Sequence, residues 1–560
     1  MDHGIARRWP TACQTCARAK VRCEPEATGA CKRCRRLSKR CVVQTPGAHR
    51  RSKTSGQAHM EVTRLEQKLD RMVAILGVSS QSSGKQTLDG DSHTRQPLAN
   101  VSDERTQSTD EPLIAISLEE GQTALEMFAK TMTPLFPFIA IPRHVAASSF
   151  QQQRPFLYSC IAVVACQRAS RQQELSQLIT SQLVQRITTN EEDSLDVLQG
   201  LLVYIAWNFV HMSSSARMVT FLHLALAQVS NLGLDKGARQ VLHYLKELDI
   251  DKQPTLPTLE ERRAYLGAYH LGSMLSACAR NIESLRYTKF TEECCQVLED
   301  AMEYATDRDL VERVRMSQLA DRIQRSIPGE VLEPGPSAPL GLYVQWQQPE
   351  LQRLKEKVLA DTPQSPIRLF HYYTLELLLY RMALVDEHRS SQYRDHPLTQ
   401  PELLYRCLQS SQAFLENFFQ LPADLFGTLP FTFWCQFGHA VVILSHLSLH
   451  EPSQADWNRE YVRHSIDYNH TIDRLSAKLD AARAMLEQRN GGTGPELPMV
   501  FRKIPTRIQM LKETHRRRQD ALAQSRAVVR SDPVDYDLFQ MPWDDMLLFT
   551  QIPDDLAEML

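Results

Sequence analysis

The chain has 560 residues, of which 42% are apolar and 23% charged, a length that allows several domains and a composition ordinary for a soluble globular protein. No stretch is long and apolar enough for a membrane span: the most apolar run, Leu198 to Met212, is broken by Gln199, Gly200, Asn208 and His211. The formal net charge of −2 conceals a basic amino end and an acidic carboxyl end, an asymmetry that points towards nucleic acid at the former.

The first twelve residues read as a basic arm; Met1 to Pro10 lacks the apolar core of a signal peptide, so a reducing compartment is expected and disulfides are not. Residues 13–41 repeat one pattern, C-x2-C-x6-C, first at Cys13, Cys16 and Cys23 and again at Cys31, Cys34 and Cys41, joined by Glu24 to Ala30. A C-x2-C turn places two soft thiolates on one side of a metal ion, and a later cysteine returns to complete the shell. Two separate tetrahedral sites need eight thiolates, so six can serve two Zn2+ ions per chain only if two sulfurs bridge. The internal repeat nominates the equivalent residues Cys13 and Cys31 for that role. Both shells would then be closed, which makes the zinc structural and leaves no position for a catalytic water.

Between Arg7 and Lys53 fourteen basic residues face only Glu24 and Glu26. A charge run is ordinarily a solvated face, but on so small a metal core it reads as a surface for phosphate, with affinity falling steeply in salt. The cysteine pattern with its basic loops resembles the fungal binuclear zinc-cluster (C6 zinc cluster) transcription factors. That resemblance implies a first-half helix lying in the DNA major groove and reading a G·C-rich triplet, CGG. Lys20 in Cys16-Ala-Arg-Ala-Lys-Val-Arg-Cys23 stands at the base-reading position, with Arg22 just before the third ligand. Arg8, Arg18, Lys32 and Arg33 are the further expected DNA contacts. Ala17 and Ala19 stand where the family often has basic residues, and Pro25 lies early in the inter-half loop.

Residues 42–60 are polar, contain Pro46, Gly47 and Gly56, and read as a linker. In 61–77, Val62, Leu65, Leu69, Met72 and Leu76 recur at heptad spacing, which predicts a short coiled coil and a homodimer whose linker sets half-site spacing. Packing of that helix on the larger domain is the competing reading. Residues 78–112 are rich in Ser, Gln, Thr, Asp and Gly and are expected to be disordered.

From 113 to 530 the apolar spacing is helical and the fold class is mainly α. Ser117 and Glu120 form a capping-box signature. Stripes follow at Phe156, Leu157, Cys160, Ile161 and Val164; at Leu195, Leu198, Leu201, Leu202 and Ile205; at Leu222, Ala225, Leu226 and Val229; and at Leu375, Leu378, Leu379 and Met382. Gly335 to Leu342 reads as an internal loop, and His464 to Asn490 and Pro505 to Val529 as further helices, the last strongly basic at Lys512, Arg516, Arg517 and Arg518. The segment Glu260 to His270, with Arg262, Arg263 and Tyr265, resembles the Arg-Arg-aromatic helix of the regulatory middle homology region in the same family. The aromatic helices Phe370 to Leu384 and Phe431 to Leu447 are read as core, with a small-molecule pocket as the alternative.

No Gly-rich phosphate loop, H-E-x-x-H or G-x-S-x-G motif is present, so no enzyme is expected. His270, His371 and His439 read as core or surface residues, and Cys160, Cys166, Cys278, Cys294, Cys295, Cys407 and Cys435 as reduced core residues. Residues 531–560 interleave eight acidic side chains with apolar ones and carry no Lys or Arg. Trp543, Leu547, Leu548 and Phe549 would insert into a coactivator groove, making the segment an activation tail. Docking of the tail on the basic helix around Arg516 to Arg518 is the alternative, and would mask it. The chain thus reads as a nuclear activator acting on double-stranded DNA, with a biosynthetic, secondary-metabolite gene cluster as its expected target. A repressor or metabolite-gated switch, and a zinc or thiol redox sensor, are the competing functions.

Overall fold

The computed structural model divides the chain into two compact units, Met1–Thr106 and Gln107–Leu560. It describes Cys13, Thr15, Cys16, Cys23 and residues 30–41 of the first unit. In the second it describes residues 116–142, 144–166, 168–189, 193–207, 215–237, 256–279, 284–325, 340–360, 366–384, 400–450, 461, 465, 467–489 and 499–527. Arg8, Arg18, Lys20, Arg22, the heptad from Val62 to Leu76, both linkers and the tail with Trp543, Leu547, Leu548 and Phe549 lie outside these residues. The fold is mainly α, with no β-strand among the described residues.

In the smaller unit Lys32–Arg36 forms a short helix, α1. Cys31 is its N-cap, in extended conformation, with its sulfur accepting the Cys34 N–H as a Ser or Asp oxygen would elsewhere. The helix closes with a Schellman reversal: Ser38 N–H donates to Arg35 C=O and Lys39 N–H to Cys34 C=O, with Ser38 left-handed at φ 49°. The reversal brings Cys41 back against the other cysteines.

The larger unit begins with α2, Leu118–Met127, and the expected capping box is formed: Ser117 Oγ accepts the Glu120 N–H, and the Glu120 carboxylate accepts the Ser117 N–H. A π-helical turn, Phe128–Met132, extends it before Pro134. Ala147–Gln153 (α3), Pro155–Val164 (α4), Ala169–Val184 (α5), Leu195–Trp207 (α6) and Ser215–Asn231 (α7) follow. Proline opens α4, where its missing N–H costs nothing, and Asp196 in the first turn of α6 accepts the next two amides, Phe156 and Leu157, each at 2.9 Å. One helix therefore caps another. Residues 196–207 of α6 are all buried, as expected for a helix apolar on every side.

Leu259–Ala279 (α8), Lys289–Ala301 (α9), Asp307–Arg325 (α10), Leu340–Ala360 (α11), Pro366–Tyr380 (α12), Gln400–Phe419 (α13), Phe431–Leu449 (α14), Tyr468–Arg489 (α15) and Met499–Ala527 (α16) complete the unit. The hub is α8, which packs on α6, α7, α9, α10 and α14. A second capping box starts it, Thr258 with Glu261. The second large buried helix, α14, packs on α13, α12, α8 and α6.

Two boundaries differ from expectation. Leu340 already belongs to α11, so the internal loop ends earlier, and α16 starts at Met499 and runs through Pro505. Proline removes one backbone bond from the helix, but burial of Ile508 and Leu511 and stacking of His515 on Tyr468 of α15 at 4.0 Å hold the segment helical. Tertiary packing outweighs the local cost. Of the scattered cysteines, Cys166 is half-buried and the other six are buried, all as free thiols.

Candidate metal centre and nucleic-acid interface

All six amino-terminal cysteines converge. Cys13, Cys16, Cys31 and Cys34 are buried, and Cys23 and Cys41 pack against them half-buried. Cys13 Sγ lies 3.8 Å from Cys31 Sγ and 3.7 Å from Cys34 Sγ, while Cys16 Sγ is 3.6 Å from Cys31 Sγ. A disulfide needs about 2.05 Å. Four sulfurs each about 2.3 Å from a tetrahedral ion stand about 3.8 Å apart. The spacing is that of a metal–thiolate core.

Two overlapping groups of four emerge, Cys13, Cys16, Cys23, Cys31 and Cys13, Cys31, Cys34, Cys41, each with its sulfurs within 4.8 Å of one another. Cys13 and Cys31 are common to both. The backbone repeats the same relation in each half: Cys16 N–H donates to Cys13 Sγ and Cys13 N–H to Cys23 Sγ. Eighteen residues on, Cys34 N–H donates to Cys31 Sγ and Cys31 N–H to Cys41 Sγ, all four bonds at 3.4 Å.

These amide bonds matter electrostatically. The Cys34 N–H, first among several donors, pulls the Cys31 thiol down to about 6, whereas burial pushes Cys23 up to about 12 and raises Cys34 as well. Six crowded sulfurs cannot all ionise unaided, since each thiolate opposes the next; a cation at the centre of each group removes that obstacle. The residues present therefore fit a pair of soft divalent ions.

Lys32 and Arg33, both expected as DNA contacts, lie on α1. Lys32, Arg35, Arg36, Lys39 and Arg40 are exposed. Arg33 is half-buried. One residue escaped the sequence reading altogether: Thr15, whose Oγ1 donates to the Arg40 carbonyl at 2.8 Å and ties the first half to the second. Its available signal was position, two residues after Cys13 as Arg33 is two after Cys31.

In the larger unit the Arg-Arg-aromatic segment is a clamp. Arg262 donates to Cys294 Sγ at 3.3 Å and Arg263 to Asp307 at 2.8 Å and Glu303 at 2.8 Å, while the Tyr265 hydroxyl pairs with Thr291 at 2.8 Å. These bonds fasten α8 to α9, to α10 and to the turn between them. His270 is buried, held near 3 by desolvation, and bonded through Nδ1 to Ser317 Oγ at 2.8 Å. His371 pairs with Gln436 and His439 with Arg381. The rings of the aromatic helices pack on one another, Phe370 on Phe433 at 4.5 Å and Phe418 on Phe437 at 4.2 Å. The basic run of α16 is answered locally: Lys512 pairs with Asp473, Arg516 with Glu513 and Asp520, and Arg517 with Glu513. No helix among the described residues is long and apolar enough to cross a membrane.

A repeated thiolate core able to hold metal lies in a small basic unit, with a large helical unit beside it in sequence. The chain is similar to transcription factor opdL of Penicillium oxalicum, 28% identical over 86% of this chain and 85% of the relative. It is likewise similar to transcription factor himD of Aspergillus japonicus, 27% identical over 78% of this chain and 73% of that protein. A further transcription factor, from Aspergillus terreus, is 25% identical over 65% of this chain and 56% of its own length. A family model described as ATEG07667_C, C-terminal domain, matches residues 422–551, and no solved structure matches the chain. The relatives that the chain matches over most of its length are thus named fungal transcription factors.

Proposed function

We propose that the protein is a nuclear, sequence-specific activator whose six amino-terminal cysteines hold two Zn2+ ions. Cys16 and Cys23 complete one tetrahedron, Cys34 and Cys41 the other, and Cys13 and Cys31 bridge. The observation that carries this reading is the pair of overlapping four-sulfur groups sharing those two residues. Zinc supplies folding energy to a segment too short to bury a core of its own, and it offers no open coordination position.

On that scaffold Lys20 reads G·C-rich triplets, assisted by Arg22, while Arg8, Arg18 and Lys32 neutralise phosphates. Val62, Leu65, Leu69, Met72 and Leu76 pair two chains, and Trp543, Leu547, Leu548 and Phe549 recruit a coactivator to promoters of a biosynthetic gene cluster. The carboxylates already paired with Lys512, Arg516 and Arg517 favour a tail free for a coactivator over one docked on α16.

Random-sequence duplex selection with the full-length chain, alongside its zinc content, tests the reading. Two zinc ions per chain and enrichment of paired CGG-like triplets at one spacing are expected. Lone triplets would remove the dimer, and no enrichment at low salt by a chain holding two zinc ions would remove the base-reading role.

A further inference from the structure

The reversal that closes α1 carries a serine where its backbone favours glycine. Ser38 is left-handed, at φ 49°, a conformation that strains a residue with a Cβ and that this kind of helix end ordinarily gives to Gly. Packing does not account for the serine: Ser38 is exposed, and its hydroxyl has no hydrogen-bond partner among the described residues. The turn is held by backbone alone, with Leu37 N–H donating to Arg33 C=O at 3.0 Å, Ser38 N–H to Arg35 C=O at 3.1 Å and Lys39 N–H to Cys34 C=O at 2.9 Å.

The hydroxyl is surrounded by charge of one sign. Arg35 and Arg36 stand three and two residues before it, Lys39 and Arg40 follow it, all four are exposed, and no Asp or Glu occurs from Cys31 to Cys41. Two guanidiniums at those offsets suit a protein kinase with an acidic peptide groove: each planar fork pairs with carboxylates of the groove, which fixes the register and delivers the hydroxyl to the nucleotide. Presenting Arg35 to Ser38 in extended form requires the last turn of α1 to open, and only the three backbone bonds above have to break. Ser38 lies four residues after Cys34 and three before Cys41, so at about 3.3 Å per residue it can stand about 10 Å out from the cysteines on a loop whose ends stay in place.

We propose that Ser38 is a phosphorylation site for a protein kinase that recognises arginines three and two residues before the acceptor, and that its phosphate weakens the hold of this unit on DNA. The co-reactant is a magnesium-bound nucleoside triphosphate. Ser38 Oγ attacks the γ-phosphorus, an O–P bond forms, and the bond from that phosphorus to the bridging oxygen breaks; the diphosphate leaves with the electron pair, and the hydroxyl proton passes to a carboxylate of the kinase. The product carries about two negative charges at pH 7 amid Arg35, Arg36, Lys39 and Arg40, and so cancels about half of a local charge that would otherwise meet the DNA backbone. The site itself stands on the geometry of α1, and its effect on DNA rests on the reading proposed above.

The test treats the full-length, zinc-loaded chain with the catalytic subunit of cyclic-AMP-dependent protein kinase and magnesium ATP, and maps phosphate by peptide mass spectrometry. Phosphate on Ser38 is expected, with Arg35→Gln slowing its incorporation about ten-fold through loss of one charge-assisted pair. Ser38→Gly removes the acceptor while easing the left-handed turn, so it should fold as well as the parent and take up no phosphate at this position. Phosphate confined to other serines, such as Ser52 directly behind Arg50 and Arg51, or reaching Ser38 only after zinc is removed, would overturn the site. On a selected duplex the phosphorylated chain should bind about ten-fold more weakly, with a slope of log K against log salt smaller by about 1.8 and zinc content unchanged. The Ser38→Gly chain, treated in the same way, should match the untreated parent. Equal binding before and after phosphorylation of Ser38 would overturn the regulatory effect. An untreated chain that holds two zinc ions yet selects no duplex would remove the DNA reading and the effect proposed on it, while the mass spectrum still decides the site.

Discussion

At the scale of single residues, the two arginines of the α8 segment show how one charge pattern divides into different tasks. Arg263 and Asp307 are both buried and paired at 2.8 Å, whereas Glu303, the second partner of Arg263, is 48% exposed. Removing one member of a buried pair strands the other charge, and removing an exposed partner merely returns it to water. Asp307→Ala is therefore expected to cost the larger unit about 3 kcal/mol, and Glu303→Ala less than about 1 kcal/mol. Denaturant midpoints of the two variants check the ranking, and equal losses would mean that burial does not govern this pair. Asp307 also accepts the Tyr304 N–H at 2.9 Å, so it ties down the turn before α10 as well as anchoring α8.

At the scale of elements, the crossings depend on where a side chain is missing. Gly267 sits on α8 where Phe138 and Leu202 of α6 close in; a Cβ there would meet Phe138 Cβ at 2.8 Å and Leu202 Cδ1 at 3.3 Å. A Phe Cβ is tied to its backbone and cannot swing aside, so the loop carrying Phe138 has to move. Gly267→Ala should destabilise the unit by about 1–3 kcal/mol, despite the better helix propensity of alanine. A rise in melting temperature would show that the crossing is looser than these contacts imply. The sequence announced α8 through its arginines and apolar stripe, but nothing in it marked Gly267, because the partner that demands a glycine lies far away in the chain.

At the scale of the whole molecule, the larger unit buries histidines that the unfolded chain would expose. Burial holds His270 near 3 and His446 near 3, the latter with Arg518, His450 and His515 facing it, and holds His450 near 4, all from an ordinary 6.5. Their folded values lie below the unfolded one, so between about 6.5 and 4 the unfolded chain binds protons that the folded chain refuses. The resulting stability is complete above 6.5 and is lost as pH falls through that window. For fully buried His270 the slope approaches on the order of 1 kcal/mol per pH unit. Melting followed by helical circular dichroism should show a rising transition temperature from pH 4 to 6.5 and a plateau above, and His270→Gln should flatten the rise. A flat profile would mean that these imidazoles are protonated in the fold. Residues 422–551 match a family model of their own, yet α14, which lies within them, packs against α6 and α8 of the helical unit.

The cysteine repeat by itself determined the grouping of six cysteines and the nomination of Cys13 and Cys31, because metal-ligand spacing is local and the repeat makes equivalents visible. Apolar periodicity likewise determined most helices and the Ser117 cap, since each depends on residues within a turn or two. Only the tertiary structure decided that Asp196 caps a neighbouring helix, that Arg263 answers Asp307, that α16 runs through Pro505, and that Thr15 bonds the Arg40 carbonyl across the cluster. Each of these pairs groups from different segments, and their energy appears only when folding brings a buried donor or charge to the one partner able to satisfy it.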